Sequence, residues 1–300
     1  MQMGYNGLGG FAKSLGKTAF GNKSMSAQTA TAAKDATSSL ILLREDIKGV
    51  AIITLNRPES RNSLSEAMLE ALSDTLTAIA QDNTVRALII AANGPAYSAG
   101  HDLKEISRHR SGADRGRAYF EHLMATCSAM MQQIVKLPQP VIAAVQGTAT
   151  AAGCQLVASC DLAVASSVAK FATPGVDIGL FCSTPMVALS RNVAPKHAME
   201  MLLTGDLFSA EDAARFGLVN RVVAPGSERD EALKLARQIA GKSELTLKIG
   251  KQAFYRQLEM PLAKAYEYAS SVMVENMMAR DAEEGIDAFV EKRRPHWEDR

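Results

Sequence analysis

Short apolar runs alternate with segments of helical periodicity from residue 40 onward. Val50–Leu55, Val85–Ala91 and Val141–Val145 are strand-length runs of mostly apolar residues, so they predict buried strands. Between the last two, Arg117–Val135 carries apolar residues at helical spacing and predicts a long helix. A chain that alternates strands and helices in this way is typical of the α/β class.

Polar residues indicate where some of the helices begin. Asn62 and Ser63 are predicted to start a helix, because Ser63 and Glu66 have the spacing of a capping box. Ser209 and Asp212 have the same spacing, so we expect them to cap a helix further along the chain.

The pattern changes near Ala194. Beyond it the chain is nearly all helical, with helices predicted over 195–204, 209–216, 230–240, 244–257, 260–279 and 281–291. The sequence therefore predicts a disordered extension over 1–38, an α/β core over 39–194 and a helical region over 195–300. The last helices have wide apolar faces, which either fold back on the core or pack against a neighbouring subunit.

Composition narrows the function classes. Lys and Arg number 33 and Asp and Glu 32, a net charge of +1, so the chain lacks the concentrated positive charge of nucleic-acid-binding proteins. No apolar run is long enough to insert into a membrane. The four cysteines have no C-x-x-C spacing and the five histidines are scattered, so no metal site is predicted.

The first 38 residues are rich in Gly, Ser, Thr, Ala and Lys, and Asp35 is the first acidic residue. They contain no apolar stretch of the kind found in secretory signals, so we expect a disordered extension, with a transit peptide as the alternative. The low number of cysteines suits a reducing compartment. The cytoplasm is therefore predicted, with the mitochondrial matrix as the alternative.

Two segments of small residues are candidates for chemistry. Ala96–Lys104 and Gly147–Gln155 each follow a buried strand, and both lack bulky side chains where backbone would meet a ligand. The free N–H groups at the start of a helix can point at one oxygen and form an oxyanion hole. The alternative is tight packing of a helix on a sheet, which also requires small residues.

Eight motifs together resemble one known family. They are Leu55–Pro58 with Asn62–Leu64, Tyr97–Glu105, Pro140–Gly147, Ala151–Leu156, Cys160–Asp161, Phe171–Pro174, Met201–Gly205 and Glu284–Arg293. In this order they resemble the crotonase superfamily, the enoyl-CoA hydratase/isomerase group, from about Ile41 to Trp297.

The resemblance implies a fold, a ligand and an assembly. The fold would be a crotonase-like spiral of ββα units with a helical C-terminal trimerisation region, usually as a homotrimer or a dimer of trimers. The ligand would be an acyl-CoA, with coenzyme A as part of the substrate and no separate cofactor. The activity would be that of an enoyl-CoA hydratase or isomerase of fatty-acid or related acid metabolism.

The resemblance also assigns roles to residues. The two oxyanion N–H groups map to the backbone of His101 and Ala152, provided that Ala152 keeps a negative φ. Positions on the coenzyme A side map to Ser60, Arg61, Ala99, Asp102 and Lys104.

The chain departs from the family at both catalytic carboxylates. The two glutamates of family hydratases correspond to Gln155 and Gly175, neither of which can transfer a proton. Asp177 is a substitute if its segment is extended. Ser183 or Cys182 at the next helix start is a candidate nucleophile, and the alternatives are a helix cap at Ser183 or Thr184 and a packed apolar role for Cys182. Two alternatives to a hydratase therefore stay open: thioester hydrolysis, and an acyl-CoA-binding regulatory protein with impaired catalysis.

Overall fold

The computed structural model describes residues 40–300, so the predicted extension over 1–38 lies outside the described residues. The strands are β1 (Leu42–Ile47), β2 (Val50–Leu55), β3 (Ala87–Ala92), β4 (Ala96–Ser98), β5 (Val141–Val145), β6 (Thr148–Thr150), β7 (Leu162–Ser166), β8 (Lys170–Ala172), β9 (Phe208–Ser209) and β10 (Arg221–Val223). The helices are α1 (Glu66–Ala80), α2 (Leu103–His109), α3 (Arg117–Lys136), α4 (Ala152–Ser159), α5 (Ser183–Leu189), α6 (Pro195–Thr204), α7 (Ala210–Phe216), α8 (Glu228–Ala240), α9 (Glu244–Gln257), α10 (Leu262–Met277) and α11 (Arg280–Val290).

The strands form two sheets. The larger has the order β1-β2-β3-β5-β7-β10, in which β1 runs antiparallel to β2 and the other neighbours are parallel. The smaller has the order β4-β6-β8-β9, with only β9 antiparallel to its neighbour.

A ββα repeat connects the two sheets. In the pairs β3–β4, β5–β6 and β7–β8, the first strand joins the larger sheet and the second joins the smaller one, after which the chain enters a helical segment. This arrangement confirms the predicted α/β class and the repeated ββα turns. It also places the ends of β4, β6 and β8 side by side, so the segments that follow them lie close together.

The larger sheet is buried on both faces. Alternate residues of β2 separate into two apolar clusters, since Ala51, Ile53 and Leu55 face the cluster that contains α1 and α3, while Val50 and Ile52 face the other. The second cluster is covered by Ala232 and Ala236 of α8. Part of the C-terminal helical region therefore packs directly on the core sheet.

Helix α9 is attached to the core by a buried ion pair. Lys251 Nζ lies 2.7 Å from Asp161 Oδ2 and also donates to the carbonyl oxygens of Ile134 and Gln139. The hydroxyl of Tyr255 donates to Asp161 Oδ1 at 2.8 Å. Burial lowers the pKa of Lys251, and the nearby Asp161 carboxylate opposes that effect.

Some element predictions were wrong in detail. The first helix begins at Glu66 with Ser65 as its cap, because Asn62 adopts a left-handed φ of 50° and leaves the helical path. Strands β9 and β10 interrupt the region predicted as nearly all helical; with two and three residues they are too short to show a strand pattern. The Ser209–Asp212 capping box is confirmed, with both of its hydrogen bonds present.

Candidate active site

The two small-residue segments meet at Gly100. A methyl group on its Cα would lie 2.9 Å from Ala151 Cβ and 3.1 Å from Ala152 N, and its φ is +85°. Only glycine fits there without strain, and its absent side chain lets the 99–101 segment approach the start of α4. The loop after β4 and the loop after β6 are thereby brought into contact.

The backbone amides of His101 and Ala152 are both available to a ligand. Neither N–H donates to another group among residues 40–300. Ala152 is the first residue of α4, where a helix leaves its N–H groups without intrahelical partners. The positive end of the α4 dipole lies at the same place.

The start of α4 is held under backbone strain. Ala151 has a φ of 50° and a ψ of −120°, a conformation that residues other than glycine rarely adopt. Its N–H donates to Ala172 O at 3.0 Å, which fixes it to β8. Ala152 is not among the positive-φ residues of the described chain, which is the condition under which its amide was assigned to the oxyanion hole.

Gly153 shows how closely β4 covers α4. A Cβ at this position would lie only 2.1 Å from Ser98 O, so no larger residue fits. The predicted alternative, tight packing that requires small residues, is therefore also correct for this segment. It does not exclude the oxyanion geometry, because Gly153 packs while the Ala152 amide stays unbonded.

Asn62 joins the 57–62 turn by hydrogen bonds to the segment that leads into β4, a role that the sequence analysis missed. Its side-chain Nδ2 donates to the carbonyl oxygens of Asn93 and Ala96, each at 2.8 Å, and its Oδ1 accepts from the Arg57 amide. The Ala99 amide then donates to Arg61 O at 3.0 Å. An asparagine in a turn, where it tolerates a left-handed φ, was the available signal.

The positions predicted on the coenzyme A side differ in what their side chains do. Asp102 caps α2 by accepting from the amides of Lys104 and Glu105, so its carboxylate is already engaged. The Ser60 hydroxyl donates to Arg57 O at 3.2 Å. The Lys104 side chain is exposed.

The positions that correspond to the two family glutamates differ in their surroundings. Gln155 is 5% exposed, and its Oε1 is buried with no hydrogen-bond partner among residues 40–300. A Cβ on Gly175 would lie 2.7 Å from Leu180 O and 2.9 Å from Cys182 Sγ. The 180–182 segment therefore occupies the space into which a longer side chain at 175 would extend.

Asp177 lines a cleft, although the extended segment expected around it is wrong. Pro174–Ile178 forms a 3-10 helix that begins with the proline, so Asp177 and Gly175 do not share a side. The exposed Asp177 nevertheless lines a cleft of about 670 Å³ together with Arg61, Ala99 and Thr150.

At the start of α5 the thiol of Cys182 is packed, as the alternative to an activated nucleophile predicted. Cys182 is buried, and burial raises its pKa rather than lowering it. Ser183 is exposed, and its hydroxyl donates to Phe181 O at 3.3 Å. No base lies within hydrogen-bond distance of Ser183 among the described residues.

The imidazole of His101 is a second group that the sequence analysis missed, since only its amide was considered. Its Nδ1 lies 3.4 Å from Leu64 O, and its Nε2 is buried with no partner in the described chain. Burial lowers the pKa of His101, and the contact with Leu64 O partly opposes this effect.

The sequence model of the enoyl-CoA hydratase/isomerase family matches residues 45–300. The chain belongs to that family. It is 49% identical over 249 residues to rat (Rattus norvegicus) enoyl-CoA hydratase domain-containing protein 3, mitochondrial, a match that covers 83% of this chain and 81% of the relative. The resemblance inferred from the eight motifs is thereby confirmed.

Solved structures of family members have the same fold. The crystal structure of an enoyl-CoA hydratase of Mycobacterium smegmatis is 52% identical with a TM-score of 0.82, and covers 86% of this chain and 99% of its own. The human enoyl coenzyme A hydratase domain-containing protein 3 is 46% identical with a TM-score of 0.81, and covers 86% and 100%. These matches confirm the crotonase fold.

Within residues 40–300, none of the helices combines the length and the apolar run that crossing a bilayer requires.

Proposed function

We propose that this family member acts on acyl-CoA thioesters in the manner of an enoyl-CoA hydratase or isomerase, stabilising a thioester enolate in a backbone oxyanion hole. The observation that carries the proposal is the contact of the 99–101 segment with the start of α4, where the amides of His101 and Ala152 stay unbonded. One such donor contributes about 3 kcal/mol to the stabilisation of a developing oxyanion.

The substrate would bind beside these amides through its coenzyme A part. Arg61 and Ala99 line the cleft, and the exposed Lys104 stands at the start of α2, where it can meet a phosphate as a point charge. Asp102 would contribute its backbone, because its carboxylate caps α2. Ser60 would act through the turn that holds Arg61. Coenzyme A enters as part of the substrate, and the proposal needs no separate cofactor or metal.

Proton transfer is where this chain would differ from an ordinary hydratase. Each missing acid–base group typically contributes a factor of about 10² to 10⁴, and the usual positions hold Gln155 and Gly175. Asp177 and Asp206 are the carboxylates that line the cleft, and Asp177, which lies two residues after Gly175, is the candidate acid or base.

A turnover screen tests the proposal. The purified chain is mixed with crotonyl-CoA and longer 2-enoyl-CoAs, and loss of the enoyl absorbance is followed. We expect turnover with at least one ester. A rate below roughly one-thousandth of that of an ordinary hydratase for every ester would reject hydration as the physiological activity. Absence of binding to any CoA ester in calorimetry would reject the ligand class.

The loss of both carboxylates favours one second candidate, an acyl-CoA-binding regulatory protein with impaired catalysis. It predicts that CoA esters bind in calorimetry and are recovered unchanged. Thioester hydrolysis through Cys182 or Ser183 gains no support, because the thiol has a raised pKa and the hydroxyl has no adjacent base. Release of free CoA that disappears in Ser183→Ala would restore that alternative.

The names of the relatives support a proposal for the location of the protein. The rat relative carries the word mitochondrial in its name, which agrees with the alternative prediction and gives no support to the cytoplasm. We infer the mitochondrial matrix. An import assay with isolated mitochondria, comparing the full chain with one that lacks residues 1–38, tests this inference, and equal exclusion of both chains from the organelle would contradict it.

A further inference from the structure

The His101 ring has one nitrogen engaged and one free. Nδ1 lies 3.4 Å from Leu64 O, and the Leu64 amide in turn donates to Gly100 O at 2.8 Å, which ties the ring and its loop to the segment before α1. A carbonyl oxygen only accepts, so the proton of the neutral ring belongs on Nδ1. Nε2 is then an unprotonated acceptor, buried and without a partner in residues 40–300.

Burial keeps this ring neutral. It lowers the pKa of His101 below the ordinary value of 6.5, so the lone pair on Nε2 is available at neutral pH. A buried acceptor without a donor costs about 1–3 kcal/mol. A ligand that supplies an O–H group removes that cost.

A second unpartnered acceptor lies near the other amide. Gln155 Oε1 is buried without a partner, and Gln155 follows Ala152 by one turn of α4, so both residues lie on the same face of that helix. The two oxyanion amides are therefore each accompanied by a buried acceptor that lacks a donor. Gln155 has no useful basicity, whereas a neutral imidazole has.

We propose that His101 is a further catalytic residue, whose Nε2 accepts the proton of the water or hydroxyl group that the reaction adds to or removes from the acyl chain. The inference rests on the proposed function and deepens it. In hydration, water oxygen bonds to the β-carbon while one of its protons passes to Nε2, and the carbon–carbon π electrons move to the thioester oxygen held by the two amides. The imidazolium then returns the proton to the α-carbon, and the neutral ring is restored.

This assignment predicts a preference for acyl chains that carry a hydroxyl group. A ring-15N spectrum of the wild-type chain labelled at histidine tests it directly, with 3-hydroxybutyryl-CoA and butyryl-CoA as matched ligands. We expect the His101 Nε2 signal, assigned from its loss in His101→Gln, to shift with the hydroxy ester and to stay in place with the saturated ester. The other histidines, His109, His122, His197 and His296, serve as internal references.

The outcomes separate this inference from the proposed function. If both esters bind in calorimetry and Nε2 responds to neither, or equally to both, the role of His101 is wrong and the acyl-CoA assignment stands. If neither ester binds, the acyl-CoA assignment fails and the role of His101 fails with it.

Kinetics give a second, independent readout. His101→Ala keeps the backbone amide, so we expect kcat for hydration to fall by a factor of about 10² to 10⁴ with little change in KM. Free imidazole should restore part of the rate, since the substitution leaves space for it. The exposed His122→Ala is the control and should keep the wild-type rate. A fall in kcat that imidazole does not restore, or an equal fall in both variants, would overturn the proposal.

Discussion

At the scale of single residues, the positions of Gln155 and Gly175 differ in whether a glutamate side chain would fit there. Gln155 has the length of a glutamate and an unpartnered oxygen, so a carboxylate fits in its place. Gly175 has no room, because Leu180 O and Cys182 Sγ fill the space beside it. Position 155 therefore lacks the carboxylate but keeps the space for it, whereas position 175 lacks both the carboxylate and the space.

We therefore expect Gln155→Glu to raise the rate of crotonyl-CoA hydration by a factor of roughly 10², the lower end for one acid–base group. Gly175→Glu should give no gain and should lower the melting temperature, since its side chain displaces the 180–182 segment. Absorbance assays and calorimetric melting of the two variants check both results. A gain in Gly175→Glu alone would contradict the packing described for that position.

The burial of His101 has a consequence for stability against pH. Its pKa in the folded chain is below 6.5, so the unfolded chain binds more protons once the pH falls through that value. The free energy of unfolding should therefore decrease on acidification from about pH 7.5 to about pH 5.5, and should decrease less in His101→Gln. Urea unfolding at several pH values measures the difference, and parallel curves for the two chains would be inconsistent with a buried neutral ring.

At the scale of elements, the attachment of α9 depends on a buried pair of charges. The side chains of Lys251 and Asp161 are 6% and 16% exposed, so removing one partner leaves the other charge in a poorly solvated place. Breaking a buried pair in this way typically costs about 3–5 kcal/mol.

We expect Asp161→Asn to lower the free energy of unfolding by roughly that amount, because Lys251 keeps its charge and loses its counterion. Glu267→Gln is the matched control, since its pair with Lys264 is about 70% exposed on both sides and should change stability by at most about 1 kcal/mol. Denaturant titrations of both variants give the comparison. Equal losses would show that burial of the first pair does not matter.

The elements also show how far sequence reasoning reaches. The apolar faces of α1 and α3 and the buried runs of β2, β3 and β5 were predictable, because burial on a regular period leaves a mark in the sequence. The bonds from Asn62 to Asn93 O and Ala96 O and the pairing of the short strand β10 with β7 were not, because they join segments far apart in the chain. The same limit hid the His101 ring, whose importance depends on its burial and on Leu64 O. The 3-10 turn around Asp177 is only five residues long, so it leaves no periodic pattern.

At the scale of the whole molecule, the C-terminal helices leave a large apolar surface. On α10, Leu262, Tyr266, Met273 and Met277 lie on one face and are between 59% and 75% exposed. Contiguous exposed apolar patches of this kind usually mark an interface. The sequence prediction of a homotrimer or a dimer of trimers offers one occupant, a second copy of the chain.

Light scattering should therefore give the mass of three or six chains. Leu262→Glu should shift the distribution toward smaller species, because a charge buried in an apolar interface loses its solvation. Lys264→Glu, which changes the charge at an exposed position on the same helix, tests whether charge alone causes the shift. A monomeric wild-type chain at micromolar concentration would refute the predicted assembly.

At Ala151, backbone strain and the choice of side chain can be considered separately. Its strained backbone directs the neighbouring amide, whereas its methyl group packs beside Gly100 and against the core. Glycine adopts the same torsion angles without the penalty of about 1–3 kcal/mol that other residues incur. A more heat-resistant version of this scaffold can therefore start from Ala151→Gly, a change beside the proposed oxyanion hole that relieves backbone strain without altering a polar group.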